Sequence, residues 1–147
     1  MVKKLKELSN VDIDKCFVSN PGYGGCYSKD QLPRSLGGKF YVVNMQSENA
    51  GSGTHWTMVD DRNPKIVNYM DSMGQVPPSS VKRLMKDTGK KQVINKFELQ
   101  PMGTDACGWY CIAAATAFEE GKSMSDFISH FDLNDPSKND KILAGMF

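Results

Sequence analysis

The order of hydrophobic and polar residues along the chain predicts a small β-sheet. Four runs rich in β-branched, aromatic and other apolar residues lie at residues 40–45, 55–60, 66–70 and 93–99. Runs of this length and composition, set between turn-forming residues, are typical of strands. The turn at residues 61–64 is short enough to join the second and third runs as an antiparallel hairpin. We therefore expect a mixed or antiparallel sheet.

An N-terminal helix is predicted to precede the sheet. Ser9 or Asn10 is expected to cap it, and the residues it should bury are Val11, Ile13 and Phe17. The segment that follows, residues 19–38, is rich in Gly, Pro and Ser and is expected to form an ordered loop.

Further helical segments are predicted in the C-terminal half of the chain. They cover residues 77–89, 107–120, 123–131 and 136–147. The segment at 107–120 is apolar on all sides, and Gly121 is expected to end it. No internal repeat or linker interrupts the pattern. We expect a single α+β domain over residues 1–147, with its small sheet packed against helices.

Composition limits the classes of function. The chain has 147 residues, 39% of them hydrophobic and 24% charged, which is typical of a globular domain. Its 18 Lys and Arg nearly balance its 17 Asp and Glu, so nucleic-acid binding is possible but is not supported by charge. No apolar run is long enough to span a membrane, and residues 1–8 lack the apolar segment of a secretory signal. We expect a protein that is neither secreted nor membrane-bound.

Four cysteines are present, Cys16, Cys26, Cys107 and Cys111. Without a secretory signal, they are expected to be free thiols in a reducing compartment. Their spacing, with only two histidines in the chain, fits no usual zinc pattern. We expect no metal and no cofactor.

Cys107 is the candidate nucleophile. It follows the polar loop at residues 102–105 and opens the apolar helix, where the helix dipole and unpaired N–H groups favour a thiolate. The alternative is a small buried core thiol, which describes most free cysteines. Cys111 lies one turn further along the same helix, and we expect it to be core packing.

His55 and Asp71 are the candidate base and its orienting carboxylate. His55 opens one strand of the predicted hairpin and Asp71 closes its partner, so antiparallel pairing places them at the same end of the sheet. His130, the other histidine, lies on a predicted C-terminal helix without such an acid nearby. A lone histidine at a strand edge is otherwise structural or merely exposed.

Gln100 and Trp56 complete the candidate site. The side-chain amide of Gln100, seven positions before Cys107, is placed to donate to a developing oxyanion together with the Cys107 N–H. The alternative is a solvated polar residue at the end of a strand. Trp56 is expected either to shield the His55 ring and contact substrate or to be a core aromatic.

These motifs together resemble the adenovirus maturation protease family, which is related to the proteases of SUMO and ubiquitin-like proteins. The residues that carry the resemblance are Gly53-Thr54-His55-Trp56, Asp71-Ser72-Met73-Gly74 and Gln100-x6-Cys107-Gly108-Trp109-Tyr110-Cys111. Residues 8–13 and 30–33 are most similar to members from virophages and Maverick/Polinton elements.

The resemblance implies a papain-like catalytic geometry reached in a different chain order. It makes His55 the base, Asp71 its orienter, Cys107 the nucleophile and Gln100 an oxyanion donor. It also implies cleavage of viral capsid or other virion precursor polypeptides after small residues, often glycine pairs, with Trp56 narrowing the channel. Such an enzyme would act as a monomer in the virion or in the virus factory of an infected cell.

Two departures and two alternatives accompany this interpretation. The adenovirus enzyme is activated by a disulfide-linked peptide and by DNA, whereas residues 93–99 here contain no cysteine and the net charge is only +1. Neither activator is therefore expected. One alternative is an isopeptidase that removes ubiquitin-like modifiers with the same four residues. The other is a catalytically silent adaptor that binds a glycine-containing tail.

Overall fold

The computed structural model describes residues 5–46 and 55–147, so the Gly53-Thr54 part of the motif lies outside the described residues. Within those ranges the chain forms five strands and five α-helices. The strands are β1 (Tyr23–Ser28), β2 (Phe40–Asn44), β3 (Trp56–Asp60), β4 (Ile66–Met70) and β5 (Lys91–Ile94). The helices are α1 (Asn10–Phe17), α2 (Ser79–Asp87), α3 (Cys107–Glu119), α4 (Met124–Ile128) and α5 (Asn139–Ala144). A 3-10 turn, Pro136–Lys138, precedes α5.

The strands form one mixed sheet in the order β1-β2-β3-β4-β5. The three central strands pair antiparallel, whereas β1 joins β2 and β5 joins β4 in parallel. The parallel step from β4 to β5 passes through α2, as a parallel connection requires a crossover. The predicted fold class, α+β with a small mixed sheet packed against helices, is confirmed.

Successive side chains along each strand point to opposite faces of the sheet, and both faces are buried. Phe40 and Val42 of β2 pack into the core that contains α1, α3 and α4, while Tyr41 and Val43 face the opposite core. That second core is closed by the apolar side of α2, formed by Val81, Leu84 and Met85. The sheet is therefore a middle layer between helices, and β3 is buried along its whole length.

Helix α3 is the central helix of the fold. It packs against β3, and its residues from Cys107 to Ala115 are buried except for Trp109, which is partly exposed. A helix that is apolar on all sides is expected to be enclosed in this way. The helix ends at Glu119, and Gly121 follows two residues later with a φ of +84°, in keeping with its predicted role as the C-terminal stop. Because the first half of α3 packs into the core against β3, its first residue has a defined position beside the sheet.

Strand β1 was not predicted from the sequence, which indicated a loop over residues 19–38. Gly24 lies under the ring of Tyr41, where an added Cβ would be 2.2 Å from a ring carbon, and Gly25 has a φ of +132° at an irregularity in the pairing with β2. The glycines that indicate a turn in the sequence instead allow close packing and a bulge in an edge strand.

Two further predictions need correction. Strand β5 ends at Ile94 rather than at Leu99, because Asn95 turns the chain and its side chain bonds the backbone of Phe97. Helix α1 begins with a capping box and buries Ile13 as predicted, but Val11 on its other side is 53% exposed.

Among the described residues, no helix is both long and apolar enough to cross a bilayer.

Candidate active site

The hairpin of β3 and β4 brings His55 and Asp71 together. His55 immediately precedes β3 and Asp71 immediately follows β4, and the register pairs Met58 with Met70. His55 Nε2 lies 2.8 Å from Asp71 Oδ1, with the imidazole 28% and the carboxylate 1% exposed. The distance and the burial of the acid are those of an orienting hydrogen bond.

Asp71 is held by the turn that follows β4. Its Oδ1 also accepts the backbone N–H of Met73 at 2.8 Å, and its carbonyl accepts the side-chain amide of Asn95 at 2.8 Å. Its second carboxylate oxygen, Oδ2, is buried and has no hydrogen-bond partner among the described residues. A buried carboxylate of this kind favours a positive charge on the adjacent imidazole.

Cys107 is the first residue of α3 and lies between the helix and β3. The backbone N–H of Trp56 donates to its Sγ at 3.4 Å, and its thiol also bonds the His55 ring. The residue before it, Ala106, offers no side-chain cap to the helix. Cys107 itself is only 2% exposed. The sulfur thus lies at the start of a helix, between the backbone N–H of Trp56 and the imidazole of His55.

The contacts of His55 favour its protonated form. Burial opposes a charge on the ring, but hydrogen bonds to Asp71 and Cys107, and attraction to their negative charges, outweigh it. Together they raise the pKa of His55 from 6.5 to about 9. Since Nε2 is engaged by Asp71, Nδ1 is the nitrogen left to the thiol. At neutral pH the His55 ring is therefore in its protonated form.

Gln100 lies on the segment between β5 and α3 and is 3% exposed. Its Nε2 donates to the carbonyl of Thr104 at 2.7 Å and contacts the Thr104 hydroxyl at 3.1 Å. Its Oε1 accepts the hydroxyl of Ser72 at 2.7 Å. Gln100 is therefore a buried, fully oriented amide rather than the solvated end of a strand, although its hydrogen bonds go to Ser72 and Thr104 and not to Cys107.

Trp56 is a buried residue in this structure. It is 4% exposed, and its indole N–H donates to the carbonyl of Leu8 at 2.9 Å. Its edge borders a cavity of about 340 Å³ that is lined mainly by uncharged polar residues, including Ser9, Ser28 and Asn44. Both readings of Trp56 have support here, as a core aromatic and as a wall of a groove, so its contact with substrate stays a prediction.

Cys111 and His130, the cysteine and the histidine that were not assigned to the catalytic site, lie outside the His55–Cys107 contact. Cys111 is fully buried, and desolvation, aided by the nearby Cys107 and Asp71, raises the pKa of its thiol well above the ordinary value. It is core packing, as predicted. His130 is exposed after α4. None of the four cysteines, all of them within the described residues, forms a disulfide.

Three residues of the site were not predicted from the sequence. Ser72, Asn95 and Thr104 hold Asp71 and Gln100 in place by hydrogen bonds. One signal was available for Asn95, because it is a polar residue in a run otherwise assigned to a strand. Within residues 5–46 and 55–147, no group of His, Cys, Asp and Glu side chains could hold a metal ion.

A separate cavity of about 390 Å³ lies at the opposite end of the sheet. Asp60, Arg62 and Asn68 line it, together with the end of α3. None of the four predicted catalytic residues borders this cavity or the one beside Trp56, so neither cavity by itself identifies the site.

The fold is similar to that of a known protease. The crystal structure of the ASFV pS273R protease superposes with a TM-score of 0.66 at 18% identity, covering 96% of this chain and 66% of the protease chain. Its selenomethionine form gives a TM-score of 0.62 at 16% identity with the same coverage. The central domain of the uncharacterised Lpg1148 protein from Legionella pneumophila gives 0.47 at 13% identity, covering 96% of this chain and 94% of that domain.

Sequence comparison adds no family. No protein-family model matches the chain, and no curated protein matches its sequence. The chain spans just under two thirds of the length of the protease chains it matches. At this level of identity the likeness concerns the fold: this chain has the α+β fold of the ASFV pS273R protease.

Proposed function

We propose that this protein is a viral cysteine endopeptidase of virion maturation, with Cys107 as nucleophile, His55 as base and acid, and Asp71 as orienter. The observation that carries the proposal is the chain of contacts from Asp71 through His55 to Cys107 at the start of a buried helix. Such an arrangement of acid, imidazole and thiol is the requirement for an activated cysteine nucleophile. The likeness of the fold to a viral protease supports it.

In the first half of the reaction the Cys107 thiolate attacks the carbonyl carbon of the scissile peptide. A carbon–sulfur bond forms and the carbonyl electrons move to oxygen. The His55 imidazolium then gives its proton to the departing nitrogen as the carbon–nitrogen bond breaks, which leaves a thioester. Trp56 supports the attacking sulfur through its backbone N–H.

In the second half a water molecule attacks the thioester. Neutral His55 takes one proton from that water, the carbon–sulfur bond breaks with its electron pair returning to sulfur, and the carboxylic acid product loses the water's second proton to solvent as it leaves. Asp71 keeps the ring in one tautomer throughout, because its Oδ1 holds Nε2 at 2.8 Å. The thiolate–imidazolium pair is thereby restored.

The oxyanion is proposed to be held by the Cys107 N–H and by one N–H of Gln100. The Gln100 amide has two N–H bonds, and the shorter contact, 2.7 Å to the Thr104 carbonyl, uses one of them. The second makes the longer contact of 3.1 Å to the Thr104 hydroxyl. An oxyanion is a stronger acceptor than a hydroxyl, so this is the N–H that it would recruit.

The substrates are proposed to be capsid or other virion precursor polypeptides cleaved after small residues. Cys107 is 2% exposed, so a residue without a large side chain fits best beside it. The location that follows is the virion and the virus factory of the infected cell. The monomeric state and independence from DNA or a peptide activator remain part of the proposal.

The test is cleavage of virion precursor proteins and of peptides with a Gly-Gly site. Wild type should cleave them, Cys107→Ala should not, and iodoacetamide should label Cys107 in step with loss of activity. Cys16→Ala is the matched control, since Cys16 is an exposed thiol on α1. If Cys107→Ala cleaved as fast as wild type, the scheme would be wrong. Hydrolysis of a ubiquitin-like substrate but of no precursor would instead indicate an isopeptidase.

A further inference from the structure

Ser72 makes an unusual set of contacts with the segment that carries Gln100. Its hydroxyl donates to Gln100 Oε1 at 2.7 Å. Its carbonyl accepts two consecutive backbone N–H groups, from Leu99 at 2.7 Å and from Gln100 at 3.0 Å. Ser72 is 0% exposed, so these bonds do not compete with solvent. One residue thus holds both the main chain and the side chain of Gln100.

The two ends of the Gln100 amide have complementary partners. The Thr104 carbonyl can only accept, so the NH2 end must face it, and the Ser72 hydroxyl then donates its proton to the oxygen end. Rotation of the amide by half a turn would set Oε1 against the Thr104 carbonyl oxygen. Ser72 and Thr104 together therefore admit one orientation of the amide.

We propose that Ser72 is a positioning residue that sets the Gln100 amide for oxyanion stabilisation. The inference rests on the proposed function, in which Gln100 is an oxyanion donor. A hydrogen bond to the carbonyl end of an amide also strengthens the N–H groups at its other end as donors. Ser72 therefore acts on the transition state through Gln100, without touching the substrate.

Ser72→Ala tests the role. It removes one buried hydrogen bond, so we expect kcat for a peptide substrate to fall about tenfold, with KM within about twofold of wild type. Ser72→Thr keeps the hydroxyl and should retain more of kcat than Ser72→Ala. Ser129→Ala is the control, because it removes a serine hydroxyl bonded to a nearby carbonyl at 2.6 Å on α4.

A second reaction separates positioning from general damage to the site. Alkylation of Cys107 by iodoacetamide needs the thiolate and His55 but forms no oxyanion. The alkylation rate of Ser72→Ala, and its dependence on pH, should match those of wild type. A loss of alkylation equal to the loss of kcat would show that Ser72 supports the whole site, and would overturn the inference.

A double-mutant cycle with Gln100→Ala completes the test. If Ser72 acts only through Gln100, adding Ser72→Ala to Gln100→Ala should lower kcat by less than twofold more. A full tenfold further loss would overturn the inference. If Gln100→Ala itself left kcat unchanged, the oxyanion role of Gln100 in the proposed function would fail instead. If only Ser72→Ala left kcat unchanged, this inference alone would fail.

Discussion

The backbone N–H of Trp56 donates to Cys107 Sγ at 3.4 Å, so the strand that begins beside the base also contacts the nucleophile. His55 and Trp56 are neighbours in the chain, which fixes the ring and the sulfur relative to each other through one short stretch of backbone. The packing of α3 against β3 therefore sets the distance between the His55 ring and the Cys107 sulfur.

Replacement of the orienting acid should lower activity without abolishing it. Asp71→Asn keeps an oxygen for the Met73 N–H but removes the negative charge beside His55. We expect kcat to fall at least about tenfold, and the alkaline limit of activity to move down by one pH unit or more. Steady-state rates across pH 6–10 measure both effects. An unchanged alkaline limit would contradict the assigned role of Asp71.

Activity should decline as the pH rises through about 9. The pKa of His55 is raised from 6.5 to about 9, and acylation needs the imidazolium proton, so its loss removes the acid that protonates the leaving amine. The measurement is kcat/KM against pH for a neutral peptide. His130→Gln, which replaces an exposed histidine, should leave the profile unchanged.

The same proton contributes to folding. Because the pKa of His55 is higher in the folded chain than its ordinary 6.5, the folded state binds the proton more tightly. This stabilisation is fully present below pH 6.5 and is lost as the pH rises through about 9. Urea unfolding at pH 6 and pH 9.5 should show the loss in wild type and a smaller one in His55→Gln. Equal losses in the two proteins would contradict it.

Gly74→Ala should destabilise the protein more than an ordinary glycine substitution. Gly74 has a φ of +72°, and an added Cβ would lie 2.8 Å from the Phe97 carbonyl carbon. The left-handed backbone costs about 1 kcal/mol, and the clash adds to it. Gly89→Ala is the matched control, with a φ of +69° and no atom within 4 Å of the added Cβ. An equal loss in the free energy of unfolding for the two variants, measured with urea, would contradict the predicted clash.

Arg62→Met should destabilise the fold while sparing the chemistry. Arg62 pairs with Asp60 at 2.7 Å, donates to the Ala115 carbonyl at 2.9 Å and lies 4.1 Å from the centre of the Phe40 ring. Asp60 is 2% exposed, so removal of its partner leaves a buried charge and costs about 3–5 kcal/mol.

Arg83→Met on the exposed side of α2 is the control for this change, with an expected effect within about 0.5 kcal/mol. Both variants should keep wild-type kcat under conditions in which they are folded, because Asp60 ends β3 at the opposite end from His55. A loss of kcat in folded Arg62→Met would contradict this prediction and show that the Asp60–Arg62 pair affects the catalytic residues at the other end of the sheet.

The sequence predicted the central sheet and the proximity of His55 to Asp71, because hairpin pairing depends on local hydrophobic alternation and a short turn. It could not predict β1, since Gly24 and Gly25 have the composition of a turn and their packing depends on Tyr41, which is distant in the chain. The link between Ser72 and Gln100 was missed for the same reason: it joins residues 28 positions apart through side-chain orientation.

The turn after β4 has a consequence for when activity can exist. Asp71 bonds the base, and the next residue bonds the segment that bears Gln100, so opening this turn disconnects both at once. A chain in which that turn has not closed still carries a sulfur but lacks an oriented base and a fixed oxyanion donor. In the proposed enzyme, a chain whose turn is open would therefore not hydrolyse peptides, so peptide hydrolysis would report that this turn has formed.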